Sequence, residues 1–195
     1  MFNLTKISDL IRLPPDEFSL PLSEALEDLI NAKYSNKVIH NVGLCITLYD
    51  ILEFEDGLTR NGDGSVYIKT TFRLVVFRPF VGEILIGWVS SCTEEGLNVK
   101  MEFFDDIFIP KHLLFESCVF IPREQAWVWK NGDDDFYIDT NEKIRFRVEQ
   151  EVFTQHQPKN PGTPEDEQQQ HNSPPSYMIQ GSCQSDGLGL VTWWD

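Results

Sequence analysis

The chain has 195 residues, of which 41% are apolar and 24% charged, so it can form hydrophobic cores and is not expected to be disordered as a whole. No apolar run approaches the roughly 18 residues that a membrane span needs, and the N-terminus has no basic start, so neither a membrane protein nor a signal peptide is expected. The net charge of -15 disfavours non-specific binding of nucleic acid by the surface as a whole.

The start of the chain predicts a strand followed by a helix. Apolar and polar residues alternate from residue 2 until Pro14-Pro15, which can continue neither a strand ladder nor a helix. After Pro21, apolar residues recur at helical spacing over residues 22–34, with acidic residues in the first turns and Lys33 near the end, as the helix dipole favours. We therefore expect an amphipathic helix with one buried face.

Two long β-rich runs, residues 42–54 and 66–77, follow the predicted helix. The strong turn signals Asn61-Gly62 and Asp63-Gly64 lie between them, so we expect a long antiparallel hairpin. One helix can cover only one face of a small antiparallel sheet, which leaves the other face open. We expect that open face to dock onto another protein.

The pattern changes at Pro79, and a series of short strands follows. We therefore predict an α+β domain over residues 1–80, with an antiparallel sheet and one helix, and an all-β barrel over residues 81–195. The clearest strand alternates Ile144, Phe146 and Val148 with charged residues. The predicted β segments are 83–90, 97–103, 106–109, 117–121, 126–129, 135–138 and 143–153, with a short helical turn over 111–115.

A polar segment over residues 155–175 contains five prolines, a run of glutamines and an acidic triplet, and we expect it to be a disordered loop. Residues 177–183 and 188–194 are apolar again and flank Ser185-Asp186-Gly187. They are expected to form a second hairpin that closes the barrel. The polar segment is then an insertion within the barrel domain.

The four cysteines and four histidines are scattered along the chain, with no C-x-x-C pair. Buried free thiols are expected, and they indicate a reducing compartment, the cytosol or the nucleus. No set of metal ligands is visible, so neither a metal site nor a cofactor is predicted.

Two acidic clusters, Asp105-Asp106 and Asp133-Asp134-Asp135, are the best candidates for catalysis. Neighbouring residues on a strand point to opposite faces, so Asp105 and Asp106 are poorly placed to share one metal ion. The second cluster follows Asn131-Gly132 in a turn, where Asp is favoured for local hydrogen bonds. Phosphate-binding glycine loops and nucleophile elbows are lacking. We expect a protein that is not an enzyme; a metal-dependent hydrolase is the remaining catalytic alternative.

A binding surface is better supported, because an OB-type barrel offers one sheet face with aromatic and basic side chains to single-stranded RNA. Aromatic residues of a small barrel also form its core, so each aromatic candidate has that alternative. Lys111 and His112 follow the break at Pro110 and are expected to be exposed. The RNA-binding candidates are Trp88, Lys100, Phe103, Lys111 and His112, with Phe104 and Phe108 as further members of the set.

Several segments spread over nearly the whole chain together resemble one known family. They are NVGLCI at 41–46, GDG at 62–64, FRLVVFRPF at 72–80, GEI at 82–84, FDDIFIP at 104–110, NEKIRFR at 141–147 and GSCQSDGLGLV at 181–191. In these segments the sequence resembles the larger subunit of the RNA polymerase stalk, and within that family the RNA polymerase III member.

The resemblance implies an N-terminal tip domain that docks on the polymerase III core and an OB-type barrel that projects outward. It also implies a small helical partner subunit bound along both, a role in promoter-dependent initiation beside initiation factors and nascent RNA, a location in the nucleus, and no catalysis by this chain. The docking candidates on the hairpin tip are Asn61, Gly62, Asp63 and Gly64. Many barrels of this kind carry stacking aromatics around Gly96, where this sequence has Glu95 and Asn98, so we expect weak RNA binding.

A different class of protein is the second hypothesis: a free-standing OB-type single-stranded RNA-binding protein in translation or RNA processing. Such a protein would be stable alone, without an open apolar sheet face. The open face expected in the first domain favours the subunit of a larger assembly.

Overall fold

The computed structural model describes residues 1–60, 62–132, 134–155 and 175–194. It divides into two compact units, Met1–Arg78 and Pro79–Asp195. The fold class predicted from the sequence is confirmed: the first unit combines an antiparallel sheet with one helix, and the second contains a closed β-barrel. No helix in the described ranges is both long enough and apolar enough to cross a membrane. Residues 156–174 of the predicted polar loop lie outside these ranges.

The first unit is built on a sheet with strand order β1-β5-β3-β2, and β4 also pairs with β5. The elements are β1 (Phe2–Leu13), a 3-10 turn (Pro15–Ser19), α1 (Leu22–Tyr34), β2 (Lys37–Ile39), β3 (Gly43–Phe54), β4 (Leu58–Thr59) and β5 (Val66–Phe77). The central strand β5 pairs with β1 along its full length, from Leu13 opposite Val66 to Phe2 opposite Phe77. The predicted strand, helix and hairpin are therefore confirmed.

Helix α1 packs on one face of this sheet. Its residues Ala25, Leu26 and Ile30 are fully buried against a core that includes Ile11 and Phe72. The end of the helix is held by Lys37, whose Nζ donates hydrogen bonds to the carbonyl oxygens of Ala32 and Lys33. Because consecutive strand residues point to opposite faces, the even-numbered residues of β1 and the odd-numbered residues of β5 lie on the face that α1 does not cover.

The second unit contains a five-stranded barrel in which strands pair in the order β13-β8-β7-β6-β12, and β12 closes the circle by pairing with β13. The strands of this unit are β6 (Ile84–Thr93), β7 (Gly96–Lys100), β8 (Ile107–Pro110), β9 (Cys118–Ile121), β10 (Ala126–Asn131), β11 (Asp134–Ile138), β12 (Lys143–Phe153), β13 (Tyr177–Ser182) and β14 (Gly189–Leu190). A 3-10 turn over Lys111–Leu113 follows β8. Side chains of β12 alternate as predicted, with Ile144, Phe146 and Val148 fully buried inside the barrel.

Three segments that the sequence suggested as barrel strands form a separate sheet instead. Its order is β11-β10-β9, and none of its strands joins the barrel ladder. One of its faces is aromatic: the ring of Trp129 stacks on Phe115 at 4.5 Å and lies 5.4 Å from both Phe136 and Trp193. The barrel is already closed by five strands, so Trp129, Phe136 and Trp193 are half-buried by packing on one another and on Phe115.

The second hairpin predicted near the C-terminus is also wrong. Strands β13 and β14 do not pair with each other; both pair with β12, β13 along its end and β14 along its start at Ile144 and Arg145. Strand β12 has 11 residues and β13 only 6, so β13 covers the end of β12 and leaves its start to β14. The chain after Leu190 forms a 3-10 turn, Val191–Trp193, rather than a strand.

Candidate functional site

The hairpin tip of the first unit is ordered around one carboxylate. Asp63 accepts hydrogen bonds from Arg12 Nη2 at 2.8 Å, from Tyr67 Oη at 2.5 Å and from Ser65 Oγ at 3.1 Å. The hydrogen bond from Tyr67, followed by that from Arg12, lowers the pKa of Asp63. This network fixes the loop that carries the docking candidates Gly62, Asp63 and Gly64; the fourth candidate, Asn61, lies outside the described residues.

The face of the first sheet that α1 does not cover combines apolar and charged side chains. Phe2 and Leu4 are each 48% exposed at one end of it, and Leu10 is 51% exposed further along β1. In the middle, Arg73 donates a forked pair of hydrogen bonds to Asp50, and its guanidinium lies 5.1 Å from the centre of the Tyr49 ring. Exposed apolar side chains beside fixed charges are typical of a protein-docking surface.

Two of the RNA-binding candidates lie together on the outer surface of the barrel. Trp88 of β6 is directly opposite Lys100 of β7 and directly opposite Lys143 of β12, so the three side chains form a row across three strands. Nζ of Lys143 is 5.7 Å from the centre of the Trp88 ring. An indole flanked by two ammonium groups can stack on a base and contact phosphates.

Lys143 was not among the sequence candidates. The alternation along residues 143–153 places it on the solvent side, but its neighbour Trp88 is brought to it by the pairing of β12 with β6, which local sequence does not specify.

The structure does not bring the other candidates to this row. Lys111 donates its backbone N–H to the carbonyl oxygen of Glu95, which precedes β7 at the opposite end from Lys100, roughly 17 Å along the strand. His112 is tied to the same end, since its carbonyl oxygen accepts a hydrogen bond from Gln184 Nε2 at 2.6 Å. Phe103 is 40% exposed beyond the end of β7, whereas Phe104 is buried in the core.

A cavity of about 310 Å³ lies over β7, β8 and β13, and its charge is negative. Asp105 and Asp106 line it together with Phe108, Asn98 and Met178. Burial and the neighbouring Asp105 raise the pKa of Asp106. Two carboxylates repel phosphate, so this part of the barrel is unsuited to a nucleic-acid backbone. Within the described ranges, no group of three or more His, Cys, Asp and Glu side chains could hold a metal ion.

The four cysteines carry free thiols; burial was predicted for all four, but Cys118 is only partly buried. Cys45, Cys92 and Cys183 are buried, and burial raises the pKa of Cys45 and Cys92 to about 11 and that of Cys183 to about 12. Thiols with such values are protonated at neutral pH and are poor nucleophiles.

Comparison with known proteins identifies the family. Residues 83–194 match the family model described as RNA polymerase III subunit Rpc25, and residues 8–64 match the SHS2 domain found in the N terminus of Rpb7p/Rpc25p/MJ0397. The chain is 49% identical to DNA-directed RNA polymerase III subunit RPC8 of Saccharomyces cerevisiae over the whole length of both proteins. The chain belongs to the RNA polymerase III subunit Rpc25 family.

Relatives with the same description extend to animals. The DNA-directed RNA polymerase III subunit RPC8 of Bos taurus is 41% identical, covering all of this chain and 98% of that protein. The DNA-directed RNA polymerase II subunit RPB7 of Saccharomyces cerevisiae is 27% identical, covering 76% of this chain and 86% of that protein. The segment matched to the Rpc25 family contains Trp88, Lys100 and Lys143, and the SHS2 segment contains Asp63 and Arg12 but ends before Ser65 and Tyr67. The family predicted from the sequence is confirmed.

Proposed function

We propose that this chain is a non-catalytic subunit of RNA polymerase III that supports transcription initiation in the nucleus. The observation that carries the proposal is its identity of 49% with a polymerase III subunit over the full length of both chains. The chemistry of the cysteines is compatible with a non-catalytic role, since burial keeps the thiols of Cys45 and Cys183 protonated at neutral pH.

In this proposal residues 1–80 form the domain that docks on the polymerase core and on a small helical partner subunit. The tip loop around Asp63 and the open face that carries Phe2, Leu4 and Leu10 are the docking surfaces. Their support is physical: Asp63 accepts hydrogen bonds from Arg12, Ser65 and Tyr67, and the open face exposes apolar side chains that a free protein would gain stability by covering. Residues 81–195 form the barrel domain, with residues 155–175 as its insertion.

The barrel is proposed to make weak contact with nascent RNA through Trp88, Lys100 and Lys143. Two cations cannot offset a chain of net charge -15, so tight binding in isolation is not expected; tethering beside the transcript raises the local RNA concentration instead. The same row supports the second candidate function, a free-standing single-stranded RNA-binding protein, which predicts tight binding by the chain alone.

Transcription by polymerase III prepared without this chain tests the main proposal. Adding the purified chain with its helical partner should restore transcription from a promoter, whereas RNA synthesis on a template with a single-stranded tail should be nearly the same with and without the chain. A requirement for the chain on both templates would show a direct part in catalysis and contradict the proposal.

RNA titration separates the two candidate functions. Trp88→Ala removes one stacking platform and should weaken binding of a short single-stranded RNA by about 1–3 kcal/mol. Lys100→Glu should weaken binding and also make the binding constant less dependent on salt concentration. Lys111→Glu, at the other end of β7, is the matched control and should have little effect. Tight binding by the isolated chain at physiological salt would favour the free-standing protein.

A further inference from the structure

The cavity on the outer surface of the barrel, over β7, β8 and β13, is mostly apolar and has a charged rim. It measures about 310 Å³, and its lining includes one side chain from each of the three strands, Asn98, Phe108 and Met178. These three residues alternate with buried barrel residues, and Asn98 is directly opposite Phe108 in the pairing of β7 with β8. Pockets for whole small molecules measure about 300–1,000 Å³, so this cavity has room for little more than one side chain.

The carboxylates of Asp105 and Asp106 both line this cavity. The two residues precede β8 instead of standing on it, so the alternation that turns neighbouring strand residues to opposite faces does not separate them. In the part of the chain that the structure describes, no ion pair includes either carboxylate. Burial and repulsion from Asp105 raise the pKa of Asp106. A cation bound beside the two carboxylates would relieve this repulsion.

The backbone that carries the carboxylates is fixed to the barrel. The N–H of Ile179 on β13 donates a hydrogen bond to the carbonyl oxygen of Asp106 at 2.9 Å. Phe104, which comes just before the acidic pair, is only 6% exposed, and its ring lies 5.5 Å from the ring of the buried Tyr177. The acidic rim is therefore held in place before a ligand arrives, which lowers the entropy cost of binding.

The chemistry of the lining fits a lysine side chain. Asn98 Nδ2 donates a hydrogen bond to Ser91 Oγ at 2.9 Å, so Oδ1 is the atom that this side chain can offer to a donor. Together with the two carboxylates it makes three acceptor groups, which matches the three N–H donors of an ammonium. The ring of Phe108 attracts a cation, and the apolar surface of Met178 suits the methylene stem of lysine.

Other ligands fit this cavity less well. Two carboxylates repel the phosphates of a nucleic acid. Calcium takes six to eight oxygen ligands, whereas Phe108 and Met178 supply none, and the described ranges contain no group of three His, Cys, Asp or Glu that could hold a metal ion. Lys100 stands two residues from Asn98 on β7, but no ion pair in the described ranges joins it to either carboxylate. A basic side chain from another protein therefore matches the cavity best.

We propose that this cavity receives a lysine side chain of a partner protein, with the ammonium beside Asp105 and Asp106 and the methylene stem along Phe108 and Met178. The net charge of -15 attracts a basic segment of that partner toward the chain. The proposal rests on the proposed function in one respect, that the chain works within an assembly that supplies the partner. The preference of the cavity for lysine is a property of the chain alone and can be measured on it.

Carbon-13 labelling of the methionine methyl groups tests this preference by NMR, since the chain has 3 methionines and Met178 lines the cavity. The probe is the peptide acetyl-Gly-Lys-Gly-amide, titrated into the full chain at low salt. The Met178 signal, assigned with the Met178→Leu variant, should shift to saturation, and the signal of Met1 should not move. The same peptide with norleucine keeps most of the stem without the ammonium and should bind at least about tenfold more weakly.

Three outcomes of this titration would overturn the proposal. The first is a Met178 signal that does not move with the lysine peptide. The second is an equal shift with the norleucine peptide, which would show that the ammonium is not recognised. The third is a shift with a short single-stranded RNA but not with the lysine peptide, which would assign the cavity to a nucleic acid.

Charge-removing variants locate the binding within the cavity. Asp106→Asn keeps the shape of the side chain and should raise the Kd of the lysine peptide at least about fivefold, and Phe108→Leu should raise it about threefold. Asp186→Asn is the matched control, because Asp186 is also exposed but lies in the segment after β13, outside the cavity. It should leave the Kd unchanged. If Asp106→Asn and Asp186→Asn raised the Kd equally, general attraction by the acidic chain would explain the binding and the proposal would fail.

Zero-length crosslinking tests the same site in the assembled state. A carbodiimide activates a carboxylate, and an amine in contact with it then forms an amide while the activator leaves as a urea. The assembly is purified through the tagged chain and treated, and the peptide joined to Asp105 or Asp106 is sequenced by mass spectrometry. A lysine of another subunit is the expected partner. Coupling to Lys100 or another lysine of this chain, or no coupling at all, would contradict the proposal.

The two experiments distinguish a failure of this proposal from a failure of the proposed function. If the tagged chain recovers no polymerase subunits but the lysine peptide shifts the Met178 signal, the proposed function alone fails. If polymerase subunits are recovered but none of their lysines couples to Asp105 or Asp106, the lysine proposal alone fails.

Discussion

Single carboxylates connect the parts of the first unit. Asp9 on β1 accepts hydrogen bonds from Lys33 Nζ at 2.5 Å and from Tyr34 Oη at 2.6 Å, both at the end of α1. Burial alone would raise the pKa of Asp9, but the hydrogen bonds from Lys33 and Tyr34 outweigh it and lower the pKa. Asp9 therefore fastens the helix to the sheet in its ionised form.

Replacing Asp9 with Asn should lower the free energy of unfolding at pH 7 by ~1 kcal/mol, since the charge-assisted part of both hydrogen bonds is lost and the site is partly screened by solvent. Because the pKa of Asp9 is lowered on folding, its contribution is present above the unfolded value of about 3.9 and is lost as the pH falls through the lowered value. Denaturant unfolding of both proteins between neutral and acid pH measures this. If the difference in stability between the natural protein and the Asp9→Asn variant persisted unchanged in acid, this account of Asp9 would be contradicted.

Gly96 is required by a close approach of two strands in the barrel. A Cβ at this position would lie 2.1 Å from the carbonyl oxygen of Ile109, which is backbone of the paired strand β8. Gly96→Ala should therefore cost about 3 kcal/mol by forcing β7 and β8 apart. Gly187 also has a positive φ, of +83°, but has nothing within 4 Å of the added Cβ.

The control Gly187→Ala should cost only about 1 kcal/mol, the strain of the left-handed backbone alone. Urea unfolding of the two variants measures the difference. If both variants lost the same free energy of unfolding, the close approach of β7 and β8 would not be the reason why residue 96 is a glycine.

At the scale of elements, the open face of the first sheet is the feature that most directly predicts assembly. Leu4→Lys places a charge on that face at a position 48% exposed, so the free energy of unfolding should change by no more than ~0.5 kcal/mol. Retention of the chain by the polymerase should nevertheless fall at least about tenfold, ~1.4 kcal/mol, because the ammonium would be desolvated at the interface.

Phe18→Lys provides the matched control for this effect, since Phe18 is 50% exposed on the 3-10 turn that precedes α1. Co-purification of polymerase subunits with each tagged variant, at rising salt, measures retention. If the polymerase retained the Leu4 and Phe18 variants equally, the open face would not be part of the docking surface.

The elements that the sequence predicted correctly are those with local causes. Pro14-Pro15 ends β1 and Pro21 precedes α1 because proline stops a ladder or starts a helix wherever it occurs. The strand of residues 143–153 follows from its own alternation. The pairing of strands has no such local cause, because it joins segments that are distant in sequence. Trp88 lies opposite Lys143, and β14 pairs with β12 instead of β13, through pairings of this kind. Two of the three members of the candidate RNA row, Trp88 and Lys100, were therefore among the sequence candidates, and Lys143 was missing.

The separate sheet of β9, β10 and β11 could not be recognised for the same reason. Its strands have the length and spacing of barrel strands, and only the closure of the barrel by β13 and β12 excludes them from it. The exposure of Ile84 and Ile86 on β6, 57% and 45%, could not be predicted from the local sequence either, since an apolar strand residue is normally assigned to a core.

At the scale of the whole molecule, exposed apolar side chains on both units point to a protein that works in an assembly. They lie on the open sheet face of the first unit and at Phe80, Val81, Ile84 and Ile86 of the second. The net charge of -15 works against autonomous RNA binding, and the cationic row around Trp88 is small. Membership in the RNA polymerase III subunit Rpc25 family agrees with a chain that works as part of an assembly.

The central claim is that the chain functions as a subunit of RNA polymerase III. The most direct measurement is purification of the tagged chain from its own cells at moderate salt, followed by quantitative mass spectrometry of what remains bound. We predict recovery of the polymerase III subunits, with one small helical protein in equal amount to the chain. Recovery of the chain as a monomer, or only with proteins of translation or RNA processing, would contradict the claim.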